Sequence, residues 1–386
     1  MNAWWKNMRS KTKSPVSRKH ADGSWMSYHA LDQPVWTPHR YNDLCEEGYI
    51  KNVIVYRCIS LIARNIAGIS LKIKENGSLL TNHPVLNALK KSGSGVSIIE
   101  AFSSYLLLCG NAYVLYNEKE NGLGEFQVIR PDRVNIHGCE KSKKILGYEI
   151  SDNDCKRVFP VNSSGVSQML HVTLFHPLHD FYGMSPLRSA SSAIDQHNAV
   201  GAHNLALLQN GGRPSGAFIV RPNASGTTLS ESQRSELRED LRRLYEGNGN
   251  AGRVMMLEGD FDWKEMGLSP KDLDFLSGKN VSAREIAQVF GVPPMLVGVP
   301  GDATFSNYKE ARFHLWEDTI IPLLDKILNS FGCWASSAFG KDLEILYDKD
   351  DIPALRSKRD GLFEALKDCD FLTNNEKREL LGFDEI

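Results

Sequence analysis

Glycines and histidines are the residues whose spacing in this chain could support chemistry. Gly247, Gly249 and Gly252 match the G-x-G-x-x-G pattern that holds a dinucleotide pyrophosphate when a strand precedes it and a helix follows. Here the predicted order is reversed, because a charged helix precedes the glycines and a strand, Val254–Leu257, follows them. A flexible connection explains the glycines as well. We predict no nucleotide site and keep a nucleotide-binding enzyme as an alternative.

The histidines do not converge on a metal either. His171, His176 and His179 could suggest zinc, but the alternation of the predicted strand places His171 and His176 on opposite faces. His197 and His203 are six residues apart on a predicted helix, so they point in different directions and should lie at the surface or at an interface. We predict no metal site.

Other enzyme signatures are missing from the sequence. It contains no G-x-S-x-G elbow and no phosphate-binding lysine loop, and its carboxylates are spread through predicted helices. Seven cysteines, an odd number without C-x-x-C pairs, are typical of buried thiols in a reducing compartment. We therefore expect a protein that is not an enzyme and has no cofactor.

Length and charge limit the remaining functions. A chain of 386 residues should contain two or three structural regions. Its formal net charge of −2 argues against wrapping nucleic acid, so a DNA partner would be guided rather than gripped. The basic start, within residues 1–25, is expected to be a disordered tail. The absence of a long apolar run and of a signal-peptide core predicts no membrane and assembly in the cytoplasm.

The first half of the chain alternates helices and strands. Apolar residues recur every four positions from 43 to 67 and predict one helical stripe, followed by Gly68 as its cap. The residues of the stripe are Ile50, Ile54, Cys58, Ile62 and Ile66. A strand over 69–73 then leads into an Asn76–Gly77 hairpin turn.

A second helix and a set of short strands follow. Ser97 and Glu100 form a capping-box pattern that opens a helix ending at Gly110, and a strand over 112–116 comes next. Further short strands are predicted at 126–129, 134–136, 148–150 and 170–175. This half is therefore predicted to be α+β with antiparallel sheet.

Two Ser-Pro pairs bracket an insert in the second half. Ser185–Pro186 opens a helix of about 24 residues, and Ser269–Pro270 opens another that reaches Phe290. Between them we predict a strand over 217–220, a helix capped by Ser230 and Gln233, and the strand over 254–257. These elements make a compact α/β insert.

A long amphipathic helix is predicted after the loop at 297–306. Its apolar stripe ends at Phe331, and Pro322 should kink it. The stripe consists of Phe313, Trp316, Ile320, Leu323, Leu324, Ile327, Leu328 and Phe331. The segment 341–386 contains one further helix, around 360–366.

Eight short sequence motifs occur in an order and spacing that resemble the portal protein family of tailed bacteriophages. The resemblance is to the shorter portals of long-tailed phages, prophages and gene-transfer particles, and it covers nearly the whole chain. The motifs are Val55–Ala67, His83-Pro84, Gly110–Tyr113, Ile129–Pro131, Gly183–Leu187, Asn210–Pro214, Ile286–Pro293 and Thr373–Arg378.

The resemblance implies an α+β portal fold with a wing, two long stem helices, an α/β clip insert and a kinked tunnel helix, its crown short or absent. By order, the wing would begin at 26–184 and continue at 292–340. The stem helices would be 185–212 and 270–291, the clip 213–269, and the C-terminal segment 341–386.

The resemblance also implies a function and its residues. The chain would form a ring, a dodecamer, at one capsid vertex of the virion and conduct double-stranded DNA. Its other partners would be the terminase large subunit, capsid and scaffold proteins, and a head–tail adaptor. The DNA-facing tunnel loop would be Val299, Pro300, Gly301, Asp302, Ala303, Thr304, Phe305 and Ser306. A clip docking surface would be Arg234, Arg238, Arg242 and Arg243.

An alternative is another virion component, such as a head–tail adaptor or a minor capsid protein. Such a protein would share the oligomerisation of a portal without its tunnel loop.

Overall fold

The protein is a mixture of helices and small antiparallel sheets, which agrees with the predicted α+β class. The computed structural model describes residues 36–80, 83–90, 95–119, 122–139, 141–152, 155–209, 216–220, 230–236, 239, 261–265, 275–301, 305–367, 369 and 371–380. The helices are α1 Tyr41–Leu44, α2 Val53–Ala67, α3 Pro84–Lys90, α4 Ile98–Cys109, α5 Pro186–Gln209, α6 Phe275–Val289, α7 Phe305–His314, α8 Ile321–Phe339, α9 Pro353–Lys367 and α10 Asn374–Leu380.

The strands are β1 Leu71–Glu75, β2 Ser78–Leu80, β3 Asn111–Lys119, β4 Gly122–Ile129, β5 Val134–Cys139, β6 Lys144–Asp152, β7 Cys155–Pro160, β8 Met169–Thr173, β9 Gly216–Val220, β10 Phe261–Glu265 and β11 Leu343–Tyr347. In the described part of the chain they form four sheets, in the orders β11-β1-β2, β4-β3-β8, β5-β6-β7 and β10-β9. Every pairing is antiparallel.

The first sheet joins an early segment of the chain to a late one. Asn76 and Gly77 have positive φ angles of 47° and 87°, as a tight hairpin turn requires, so the predicted hairpin is confirmed. On its other side β1 pairs with β11, and Ile73 lies opposite Ile345. The sequence did not predict β11, whose partner is more than 260 residues away.

The predicted stripe of the first long helix is confirmed except at its start. Ile54, Cys58, Ile62 and Ile66 are buried. Ile50 is 69% exposed, because a π-helical turn over Cys45–Ile50 and a break before α2 take it off the stripe. The asparagine at the break, Asn52, accepts hydrogen bonds from the first amides of α2 and caps it.

The main core lies between α2, α4 and α8, where α8 packs on β11 of the first sheet and α4 packs on β3 and β4. Phe102 of α4 packs edge-to-face on Phe331 of α8, with ring centroids 5.2 Å apart, and both side chains are fully buried. A smaller cluster around Tyr113 and Tyr148 fills the space between two other sheets, β4-β3-β8 and β5-β6-β7. Strand β7 in the second of these was not predicted from the sequence.

The predicted capping patterns at Ser97 and Ser230 are confirmed. Ser97 accepts a hydrogen bond from the Glu100 amide, and Gly110 ends α4 with φ 75°. The Gln233 amide donates to Ser230, whose own amide donates to the Gln233 side chain. A further capping box, of Thr373 and Glu376, opens α10 and was not predicted from the sequence.

The long amphipathic helix differs from its prediction in length and in the form of its irregularity. It continues to Phe339 instead of ending at Phe331, and Gly340 ends it with φ 64°. The irregularity is a π-helical turn over Leu315–Ile320 that directly precedes Pro322. Proline removes one amide donor from the ladder, so the distortion lies on the side where that donor is missing.

Candidate functional site

Helix α5 is buried over its first half and exposed over its second. Leu187, Ala190 and Ile194 are almost fully buried and lie three or four residues apart on one face. Further along the helix, Leu205 is 55% exposed and Leu208 is 66% exposed. The helix of 24 residues, as predicted from Ser185–Pro186, therefore leaves the core about halfway along its length.

Helix α6 returns beside α5 with the reverse pattern. Leu276, near its described start, is 74% exposed, whereas Ala283 and Ile286 are buried. The rings of His203 on α5 and Phe275 on α6 have centroids 4.7 Å apart. The two predicted stem helices thus pack together as an antiparallel pair that is rooted in the core at one end. Ser269 and Pro270, the predicted start of the second helix, lie outside the described residues.

Two of the sequence motifs meet at the foot of α5. The Asn111 side chain accepts from the Gly183 amide at 2.8 Å and donates to the Gly183 carbonyl oxygen at 3.2 Å. The Ser185 hydroxyl donates to the Leu108 carbonyl oxygen at 2.6 Å and accepts from the first amide of α5. Because these motifs lie about 70 residues apart, the contact ties the start of α5 to the α4–β3 corner. We call this contact the clasp.

The clasp has no room for side chains at its two glycines. A Cβ atom on Gly110 would lie 2.4 Å from the backbone of Met184, and one on Gly183 would lie 2.0 Å from the Gly110 carbonyl oxygen. The Leu174 amide donates to that same oxygen at 2.8 Å. Close backbone approach therefore explains why each motif begins with glycine.

The histidines near the clasp are structural. His171 stacks on Tyr113, with centroids 4.4 Å apart, and burial lowers the pKa of His171 to about 3. Strand β8 ends at Thr173, so His176 lies in the following loop and not on the opposite face of the strand, as the sequence had suggested. Among the described residues no three histidine, cysteine or acidic side chains are placed to hold a metal.

The prediction for His197 was wrong, because its side chain is only 7% exposed. It continues the buried stripe of α5 and accepts a hydrogen bond from Asn52. His203, six residues further on, is exposed, as expected for a surface or interface position. The sequence pattern gave no indication of the difference, because it does not show where along α5 the core ends.

The predicted tunnel loop is only partly a loop. Val299 is 7% exposed and packs in the core, and Phe305 and Ser306 belong to α7. These three residues therefore do not lie in a loop at the surface, because the core and the helix extend further than the Gly/Pro-rich sequence indicates. Pro300 and Gly301 are exposed. The other predicted loop residues, Asp302, Ala303 and Thr304, lie outside the described residues.

An arginine from α6 holds the exposed part of this loop. The Arg284 guanidinium donates to the Pro300 carbonyl oxygen at 2.6 Å. A Cβ atom on Gly301 would lie 2.6 Å from the same guanidinium, so glycine permits this approach. Arg284 was not predicted from the sequence, because it lies 16 residues before Pro300 and on the adjacent helix.

The insert between α5 and α6 is described in part. Strands β9 and β10 pair through five residues each, and the sequence did not predict β10. Arg234 is exposed on a short helical stretch. Arg238, Arg242 and Arg243 lie outside the described residues, as do the glycines at 247, 249 and 252 and the predicted strand over 254–257. None of the described helices combines the length and the apolar character needed to cross a membrane.

Several known proteins are similar to this chain in sequence or in fold. The chain matches the family model for phage portal protein over residues 53–382. An uncharacterized protein of Rickettsia bellii is 38% identical over 354 residues, covering 88% of this chain and 89% of that protein. The portal protein of Enterobacteria phage HK97 is 22% identical over 355 residues, covering 86% of this chain and 79% of that protein.

The solved structures include chains from gene transfer agent particles. A chain in the neck of an empty particle, computed with C6 symmetry, has a TM-score of 0.70 and 36% identity, covering 92% of this chain and 96% of that chain. A chain in the neck of a native particle, computed with C12 symmetry, has a TM-score of 0.68 and 36% identity, with the same coverage. Since the family model spans most of the chain and close structural relatives cover nearly all of it, the chain belongs to the phage portal protein family.

Proposed function

We propose that this chain forms the portal ring of a tailed phage, prophage or gene-transfer particle, and that double-stranded DNA enters and leaves the capsid through it. The main support is the 36% identity to a chain in a particle neck computed with C12 symmetry, because nearly the whole of both chains is covered. Such a protein acts as a channel and docking platform rather than as a catalyst, as expected for this family. Twelve copies would surround the channel.

The purified protein is expected to form closed rings with twelve-fold symmetry. Negative-stain electron microscopy with class averaging measures both closure and copy number. A protein that stays monomeric at high concentration, with no rings in the images, would contradict the proposal.

The helix pair supports a division of the ring into parts. Helices α5 and α6 would be the stem, because they leave the core together and carry exposed apolar residues on their outer halves. The insert between them, with Arg234, Arg238, Arg242 and Arg243, would be the clip that docks the terminase large subunit and later a head–tail adaptor. Capsid and scaffold proteins would contact the outer, wing part of the ring in the virion.

The loop after α6 would face the DNA. The net charge of −2 suits a channel that guides DNA, because a surface that paired with each phosphate would hold the duplex in place. The loop itself has no lysine or arginine between residues 299 and 306. Arg284 would hold the loop in position, since its guanidinium donates a hydrogen bond to the Pro300 carbonyl oxygen.

Substitution of Arg284 by alanine is expected to leave ring formation intact and to reduce the amount of DNA packaged. The loop would lose one charge-assisted hydrogen bond, which typically contributes about 1.5 kcal/mol. That loss is roughly a ten-fold change in the equilibrium between the bound and the released loop. Gly301→Ala should give the same defect, because its methyl group displaces the guanidinium. Nuclease-protected DNA in assembled particles measures the effect.

Arg312→Ala is the matched control for this experiment, because it removes an exposed arginine from α7. It is expected to package normally. Normal packaging by both Arg284→Ala and Gly301→Ala would remove Arg284 from the mechanism while leaving the ring proposal in place.

A further inference from the structure

Four consecutive residues of α5, 195–198, lie where this helix leaves the core. His197 is the last buried position of the α5 stripe. Each of the four takes part in a hydrogen bond to another segment of the fold. These bonds run from Thr37 to Asp195, from Ser282 to Gln196, and from Asn52 to His197 and Asn198.

The amide of Asn52 has a fixed orientation in this contact. Its oxygen accepts from the amides of Ile54 and Val55, at 3.1 and 3.2 Å, and so caps α2. Its nitrogen must therefore point the other way. It donates to His197 Nδ1 at 3.2 Å and to Asn198 Oδ1 at 3.0 Å.

The neighbouring groups fix the state of His197. The Asn198 amide cannot exchange its two ends without losing a bond, because its nitrogen donates to the Glu47 carbonyl oxygen at 2.9 Å. His197 must then present a lone pair on Nδ1 and carry its single proton on Nε2. Asn52 is 1% exposed and His197 is 7% exposed, so water does not readily replace a lost bond here.

The charged groups around His197 do not favour its protonation. Burial and the nearby Lys279 of α6 both lower the pKa of His197. On the π-helical turn, Glu47 is paired with Lys51 at 2.7 Å. On α5 itself, the Asp195 carboxylate accepts hydrogen bonds from the amide and the hydroxyl of Thr37.

We propose that Asn52 and neutral His197 form a positioning contact that seats α5 on the body of the fold, and that a proton on His197 releases it. A proton on Nδ1 would face the N–H groups of the Asn52 amide. Turning that amide over would take its oxygen away from Ile54 and Val55. With the amide as it is, the bond to His197 is lost; with the amide turned over, the cap of α2 and the bond to Asn198 are lost.

The importance of this contact for a channel rests on the proposed portal function, in which α5 is a stem helix. The seating of the stem on the wing would then depend on pH. The contact itself can be tested on the full-length chain whether or not it forms rings, and electron microscopy of the same samples reports on the ring separately.

Hydrogen exchange followed by mass spectrometry tests the contact through segments 53–60 and 190–200. The wild type and His197→Gln, which keeps an acceptor but does not titrate, are compared at the same pH. Their exchange rates should be equal at pH 7.5. At pH 5.0 the wild type should exchange faster by up to about thirty-fold. This is the limit for a histidine whose pKa is about 6.5 when the contact is open and which forms the contact only when neutral.

Two further variants make the test specific. His203→Gln alters an exposed histidine of the same helix and should behave like the wild type at both pH values. Asn52→Asp keeps the cap of α2 but presents a carboxylate oxygen to His197, so it should reverse the effect and slow exchange at pH 5.0. If His197→Gln does not fold, the slower exchange expected of Asn52→Asp at pH 5.0 tests the proposal instead. Equal exchange by wild type and His197→Gln at pH 5.0, or an unreversed effect in Asn52→Asp, would overturn the proposal.

Discussion

Replacement of Gly110 by alanine is expected to lower the free energy of unfolding by about 4 kcal/mol or more. It would prevent folding if the wild type is itself only marginally stable. Gly110 has φ 75°, which costs a side-chain-bearing residue about 1–2 kcal/mol. The added methyl group would also lie 2.4 Å from the backbone of Met184, and backbone cannot move aside as a flexible side chain can. The free energy of unfolding, from urea titration of the full chain, measures the loss.

Gly165→Ala separates the two causes. Gly165 has a similar φ of 80°, but a Cβ atom there would meet no other atom within 4 Å. It should therefore show only the conformational cost, about 1–2 kcal/mol. If both variants lose the same stability, Gly110 and Met184 are packed less closely than the distances indicate.

Replacement of Phe331 by alanine is expected to cost about 3–5 kcal/mol, because it removes a fully buried ring and leaves a cavity. Phe331 is 2% exposed and packs edge-to-face on Phe102, which is itself completely buried. The cavity would lie where α4 and α8 meet, and neither helix can move freely to close it, because α8 packs on β11 and α4 packs on β3. Unfolding by urea, followed by tryptophan fluorescence, gives the difference.

Phe371→Ala is the matched control, since it makes the same chemical change at a side chain that is 84% exposed. Its expected effect is within about 0.5 kcal/mol. Similar losses at the two positions would mean that the α4–α8 contact does not carry the stability of the core.

Much of the local structure was predicted correctly from the sequence. The capping boxes at Ser97 and Ser230, the Asn76–Gly77 turn and the Ser185–Pro186 helix start all depend on residues within four positions of one another. Interactions over that range are encoded by residue type and spacing alone. The apolar stripe that ends at Phe331 was equally readable, because a helix repeats its buried face every three or four residues.

The site was less predictable. The loop without lysine or arginine was identified from the sequence, yet Val299 is buried and Phe305 and Ser306 are helical. Arg284 reaches the loop from another element, and a search for charges within the loop could not reveal it. His197 was misplaced for a related reason: periodicity shows which face of α5 is apolar but not how far the core extends along it.

By itself, the sequence determined the class of the fold, the positions of most helices and, through the order of its motifs, the portal family. The tertiary structure decided which distant segments meet: β1 with β11, the Gly110 corner with Gly183, and Asn52 with His197. Those contacts close long loops of chain and depend on shape and on the direction of donors and acceptors. A linear pattern contains neither, so the seating of α5 could be seen only in three dimensions.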